Sequence, residues 1–93
     1  MIEVLQVGVF IPSIFTPNGD GENDFFQVFG STLCESVCTI YDRWGKIITI
    51  LPNLAATWDG KNAPEGTYTY LWKGRFCGRK EGVERVGTVI ILR

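Results

Sequence analysis

The chain has 93 residues, with nine Lys and Arg against ten Asp and Glu and no histidine. A chain this short hides only about 60% of its unfolded surface on folding and supports one core, which its 45% hydrophobic and 13% aromatic content supplies. A formal net charge of -1 gives no field to gather nucleic acid or an anionic membrane, and the missing histidine removes the usual general base, the serine-triad relay and the commonest zinc ligand.

No window of eleven or more residues keeps helical apolar spacing without a Gly, Pro or β-branched run breaking it, so the chain reads as all-β. The first strand signal runs over 3–15 and is split by Pro12. Its apolar run, 4–14, and the later run at 86–92 are too short and too interrupted to cross a bilayer as helices, so no membrane span is expected. Glu3 and Gln6 fall where a signal peptide would need apolar residues. We therefore expect 1–93 to be one domain excised from a larger secreted protein, with Met1 marking an excised edge and the signal peptide lying elsewhere.

The loop 16–24 places side-chain oxygens at every second position, on Asn18, Asp20, Glu22 and Asp24, with glycines between them. Such a loop can collect oxygen ligands for calcium. It departs from an EF-hand, since Asn23 stands in place of the turn glycine and Phe29 in place of the bidentate glutamate. The alternative is a polar loop closed by its own hydrogen bonds, with Asp24 accepting from local amides.

Residues 25–29 read as the next strand and 37–42 as another, with Cys38 and Ile40 on one face and Val37, Thr39 and Tyr41 on the other. Arg43, Trp44 and Gly45 suit a tight turn with a positive φ at the glycine, and 46–51 returns as a strand ended by Pro52 and Asn53. A turn at Trp58, Asp59 and Gly60 leads to another at Pro64, Glu65 and Gly66. The strongest strand follows at 67–76. There Tyr68, Tyr70 and Trp72 repeat every second residue, as a core-facing strand requires, and not as a sugar-stacking platform would need. A charged hairpin tip at 78–82 and a closing strand at 83–92 bring the total to about seven strands in two packed antiparallel sheets.

Cys34, Cys38 and Cys77 are an odd set. In an oxidising compartment Cys77 pairs with Cys34 or with Cys38, closing a loop of roughly forty residues that contributes about 4 kcal/mol by chain entropy; otherwise the three are small hydrophobes. Cys34 and Cys38 lack the further ligand that a thiolate zinc site needs. Asp24 and Asp59 are the likeliest acid pair for glycoside hydrolysis, but each sits where a turn needs an acid in any case.

In register, segments 11–24 (IPSIFTPNGDGEND), 40–45 (IYDRWG), 58–60 (WDG), 64–70 (PEGTYTY) and 87–93 (GTVIILR) resemble the gliding motility-associated C-terminal domain. This family is also called the type B C-terminal domain of the type IX secretion system of Bacteroidetes. The resemblance implies an immunoglobulin-like antiparallel β-sandwich at the extreme C-terminus of large surface proteins, adhesins among them. It implies recognition by outer-membrane secretion machinery proteins, delivery to the cell surface or beyond, no catalysis and no required cofactor. The stretch between Trp58 and Gly66 is shorter than in many relatives, and the three cysteines lie outside the family pattern.

Loops on a rigid sandwich carry recognition while strands hold them. Asn18, Asp20, Asp24, Arg43 and Asp59 are therefore the candidate contact residues, with Arg43 reaching toward the acidic loop by a forked, charge-assisted hydrogen bond. Strand addition at an exposed edge is a second mode of recognition. The competing function is an adhesive or carbohydrate-binding module exported by other means.

Overall fold

The computed structural model describes residues 9–17, 19, 24–30, 32–61 and 63–92. Among them the strands are β1 (Val9–Phe10), β2 (Ile14–Phe15), β3 (Phe29–Gly30), β4 (Leu33–Tyr41), β5 (Ile47–Leu51), β6 (Gly66–Phe76) and β7 (Val83–Ile91), with no helix. Five of these form one sheet in the order β2-β7-β6-β4-β5, and β1 pairs with β3 in a two-stranded sheet. The architecture is an all-β, immunoglobulin-like sandwich of seven strands.

Alternation along the strands sets the core. Cys38 stands opposite Trp72, Ile40 opposite Tyr70, and Tyr68 opposite Val89, so one face of β4, β6 and β7 is turned inward. Phe15, Phe26, Ile40, Trp72, Val89 and Ile91 are almost wholly buried there. The indole of Trp72 does not leave its N–H stranded, because Nε1 donates to the hydroxyl of buried Ser36 at 2.9 Å. Tyr68 donates from its hydroxyl to the carbonyl of Pro64 at 2.7 Å, a tyrosine corner that ties the loop before β6 to the strand itself.

The outward face of the large sheet is also rich in apolar side chains. Val86, Leu71, Thr39 and Ile50 stand in one row across β7, β6, β4 and β5, with Val86 and Ile50 exposed. The polar half of the usual alternation is supplied here by threonines, Thr39, Thr67, Thr69 and Thr88, and by the ion pairs Lys73–Glu84 and Arg75–Glu35.

Three expectations need correction. The sandwich is not antiparallel throughout, because β2 runs parallel to β7, with Ile90 N–H donating to the Ser13 carbonyl and Leu92 N–H to that of Phe15. Pro12 interrupts the first strand signal and lets the chain leave the small sheet for the edge of the large one, so the two pieces belong to different sheets. Residues 25–29 are not a strand: Phe26 makes a single bridge to Trp58, and strand pairing begins at Phe29. Their partner is the irregular 52–61 segment, whose Leu54 carbonyl accepts from Gln27 Nε2 at 2.8 Å. Finally, β4 begins at Leu33, four residues earlier than its propensities suggest, since pairing with β6 outweighs the weak preference of Cys34, Glu35 and Ser36. The expected strand at 3–8 lies outside the described residues.

Gly60 is buried with a φ of +69°, and a Cβ there would come within 3.1 Å of the Phe15 ring and 3.3 Å of Ile91. Gly60→Ala is expected to destabilise the domain by about 2 kcal/mol or more, from left-handed strain together with overpacking. Urea denaturation measures it, and an unchanged midpoint would contradict this packing.

Candidate functional site

Strand direction gathers the irregular segments. β4 runs toward the 42–46 turn, β6 is antiparallel to it and begins near the same end, β7 finishes there, and β2 runs parallel to β7. The loop after Phe15, the 42–46 turn, the residues before Gly66 and the tail after Ile91 therefore share one end of the sandwich. Gly60 packs on Phe15 and Ile91 and brings the 58–60 turn to that end as well.

Side-chain oxygens shape these turns. Asp24 Oδ1 accepts from Gly19 N–H at 3.0 Å, closing the 19–24 loop, and Asp59 Oδ1 accepts from Lys61 N–H at 3.0 Å in an Asx turn. Asp42 Oδ1 accepts from the backbone N–H groups of Trp44 at 2.8 Å and Lys46 at 2.9 Å, while Gly45 N–H donates to the Asp42 carbonyl at 3.0 Å. With Gly45 at φ +83°, this is a three-residue hairpin loop, a type I turn followed by a left-handed glycine. Reading the sequence for contact residues passed over Asp42, although an Asp three places before a Gly at a hairpin is the signal for it.

Asp24 and Asp59 come together, lining one surface depression with Pro17, Gly19, Phe25 and Lys61. Arg43 is not with them. It lines a second depression with Glu65 and Tyr68, and its guanidinium stands over the Trp44 ring, 5.6 Å from the centroid. The forked bond expected from Arg43 to the acidic loop is thus not formed with Asp24, because the turn aims the side chain at its own neighbour. Asn18, Asp20 and Glu22 lie outside the described residues. Among the described residues no cluster of three or more His, Cys, Asp or Glu could hold a metal ion, and Asp24 accepts the local hydrogen bond from Gly19.

The edges of the large sheet are β2, two residues long, and β5, whose pairing with β4 shifts register between Ile40 and Tyr41 and which Pro52 follows directly. Short and interrupted edges are poor templates for strand addition. Three aromatic side chains of β6 alternate inward, Tyr68 and Trp72 buried and Tyr70 half-buried, so these three do not form a sugar platform.

A family model, the CHU_C type IX secretion signal domain, matches residues 9–91. The chain belongs to this family. Membership makes it a sorting signal for secretion and implies contact with the secretion machinery. A search among curated proteins found no match. No helix among the described residues is long and apolar enough to cross a membrane.

The far end of this signal domain carries a staple. Cys34, at the start of β4, and Cys77, just after β6, form a disulfide with Cα atoms 5.0 Å apart and a sequence separation of 43. Cys38 is free and buried, and burial pushes its thiol up to about 12 from 9.0. Between those values the unfolded chain gives up the Cys38 proton while the folded chain keeps it, so this contribution to stability is complete below about pH 9 and is lost as pH rises toward 12. Burial raises Tyr70 as well, reinforced by Cys38 and opposed by Arg85.

Reduction is expected to lower stability by up to about 4 kcal/mol in the chain-entropy model, while Cys38 in the folded protein stays unreactive to a thiol reagent at pH 8. Midpoints with and without reductant and a native thiol titration check both. Rapid labelling of Cys38 without unfolding would contradict its burial.

Proposed function

We propose that the chain is a non-catalytic C-terminal sorting and anchoring module that directs a large surface protein through the type IX secretion system. In this reading residues 1–93 act as one domain of a longer secreted protein, bound for the cell surface or the medium after outer-membrane translocation. Its partners are outer-membrane secretion proteins, and it requires no cofactor. The observation that carries the reading is the convergence on one end of the sandwich of segments far apart in sequence: the loop after Phe15, the 42–46 turn, the 58–60 turn and the residues before Gly66. A signal read as a folded shape needs such a surface, because loops recognise and the sheet holds them in place. Asp24, Arg43 and Asp59, with Asn18 and Asp20 from the same acidic loop, are the proposed contacts.

The test fuses the chain to a periplasmic reporter in a type IX-competent cell. Delivery of the reporter to the cell surface or medium is expected, and its loss when the system is genetically inactivated. Retention in the periplasm, together with glycan binding by the chain, would favour an adhesive module instead.

A further inference from the structure

Among the exposed large hydrophobic residues Trp44 stands out at 82% accessible, at the tip of the turn between β4 and β5. An indole in water is ordinarily a cost to solubility, yet this one is held out by a turn built to do so. The Trp44 and Lys46 amides are both bound by Asp42 Oδ1, Asp42 N–H donates to the Lys46 carbonyl at 2.9 Å, and Gly45 closes the reverse bend. Backbone fixed before contact lowers the entropy lost on binding, and Trp and Arg are the residues most enriched among those that dominate interface energies.

We propose that Trp44 is a preorganised anchor that enters an apolar pocket of a protein partner, with Arg43 pairing with a carboxylate on the pocket rim. The inference rests on the secretion reading and names the partner chemistry at the same end of the fold. Charge argues for the acidic rim. The Asp42 carboxylate is turned into the backbone amides of its own turn, whereas neither Arg43 nor Lys46 has an ion-pair partner among the described residues. The tip therefore offers two cations around one indole. Around it the same end carries both signs, with Asp24 and Asp59 beside Lys61 in one depression and Glu65 lining the other with Arg43. Mixed signs select a complementary protein surface, while an anionic lipid surface of uniform charge would be repelled by the acids.

Four variants in the reporter fusion test this: Trp44→Ala, Trp44→Phe, Arg43→Glu and, on the outward sheet face, Ile50→Thr. Surface delivery is expected to fall about tenfold or more for Trp44→Ala, less for Trp44→Phe, clearly for Arg43→Glu, and not for Ile50→Thr. The melting temperatures of the Trp44 and Arg43 variants should stay near wild type, because these side chains are exposed. Wild-type delivery of Trp44→Ala beside a delivered wild type overturns the anchor and leaves the secretion reading intact. Failure of the wild type itself to be delivered overturns both. Binding of the chain to phosphatidylglycerol vesicles that disappears in Trp44→Ala would overturn the protein pocket in favour of a lipid surface.

Discussion

The loop-bearing end of the fold depends on Trp58, which fastens the irregular half of the sandwich to its sheet. Its backbone exchanges two hydrogen bonds with Phe26, of 2.8 and 2.9 Å. Its ring meets Phe15 at 5.4 Å and stands edge-on to Tyr68 at 5.5 Å, while Phe26 approaches edge-on at 6.4 Å. Aromatic pairs of this kind add roughly 0.5–1.5 kcal/mol each beyond the area they bury. Four segments distant in sequence, those around Phe15, Phe26, Trp58 and Tyr68, are thereby locked at one place. Without that lock the loop closed by Asp24 and the turn closed by Asp59 would have nothing to fix their separation, and a secretion signal read by shape would have no shape.

The two ends of the domain solve different problems. At one end, short polar side chains close turns on themselves: Asp24 on Gly19, Asp59 on Lys61, and Asp42 on Trp44 and Lys46. These bonds set backbone shape and leave the outward side chains available. At the other end the Cys34–Cys77 disulfide joins the start of β4 to the residue after β6, and Arg75 Nη1 donates to the Arg79 carbonyl across the adjoining tip. Covalent closure there suits a small domain with one modest core. Cys38, facing Trp72 from the neighbouring strand, serves as core packing.

Much of this was legible in the residues. Period-two alternation on 37–41 put Cys38 and Ile40 on one face, that on 68–72 turned Tyr68, Tyr70 and Trp72 toward the core, and the glycine of the Arg43–Trp44–Gly45 turn signalled its left-handed residue. What escaped reading depends on partners far away in sequence. The parallel pairing of β2 with β7 joins opposite ends of the chain, and no local pattern encodes it. Phe26 and Val28 alternate like a strand, yet their neighbour is an irregular segment, so only one bridge forms. The separation of Arg43 from Asp24 and Asp59 follows from the aim of a turn, which composition does not carry. Exposure of Trp44 was likewise invisible, since an aromatic beside a turn reads equally well as core.

Native-state hydrogen exchange at the amides of Phe26 and Trp58 tests the central lock most directly. Both sit in irregular chain that would exchange quickly if it merely lay on the sheet. Exchange as slow as that of the β6 core amides, opening with the same free energy as global unfolding, is the result expected of a Trp58 clamp. Loop-like exchange at these two positions, with β6 still protected, would contradict it.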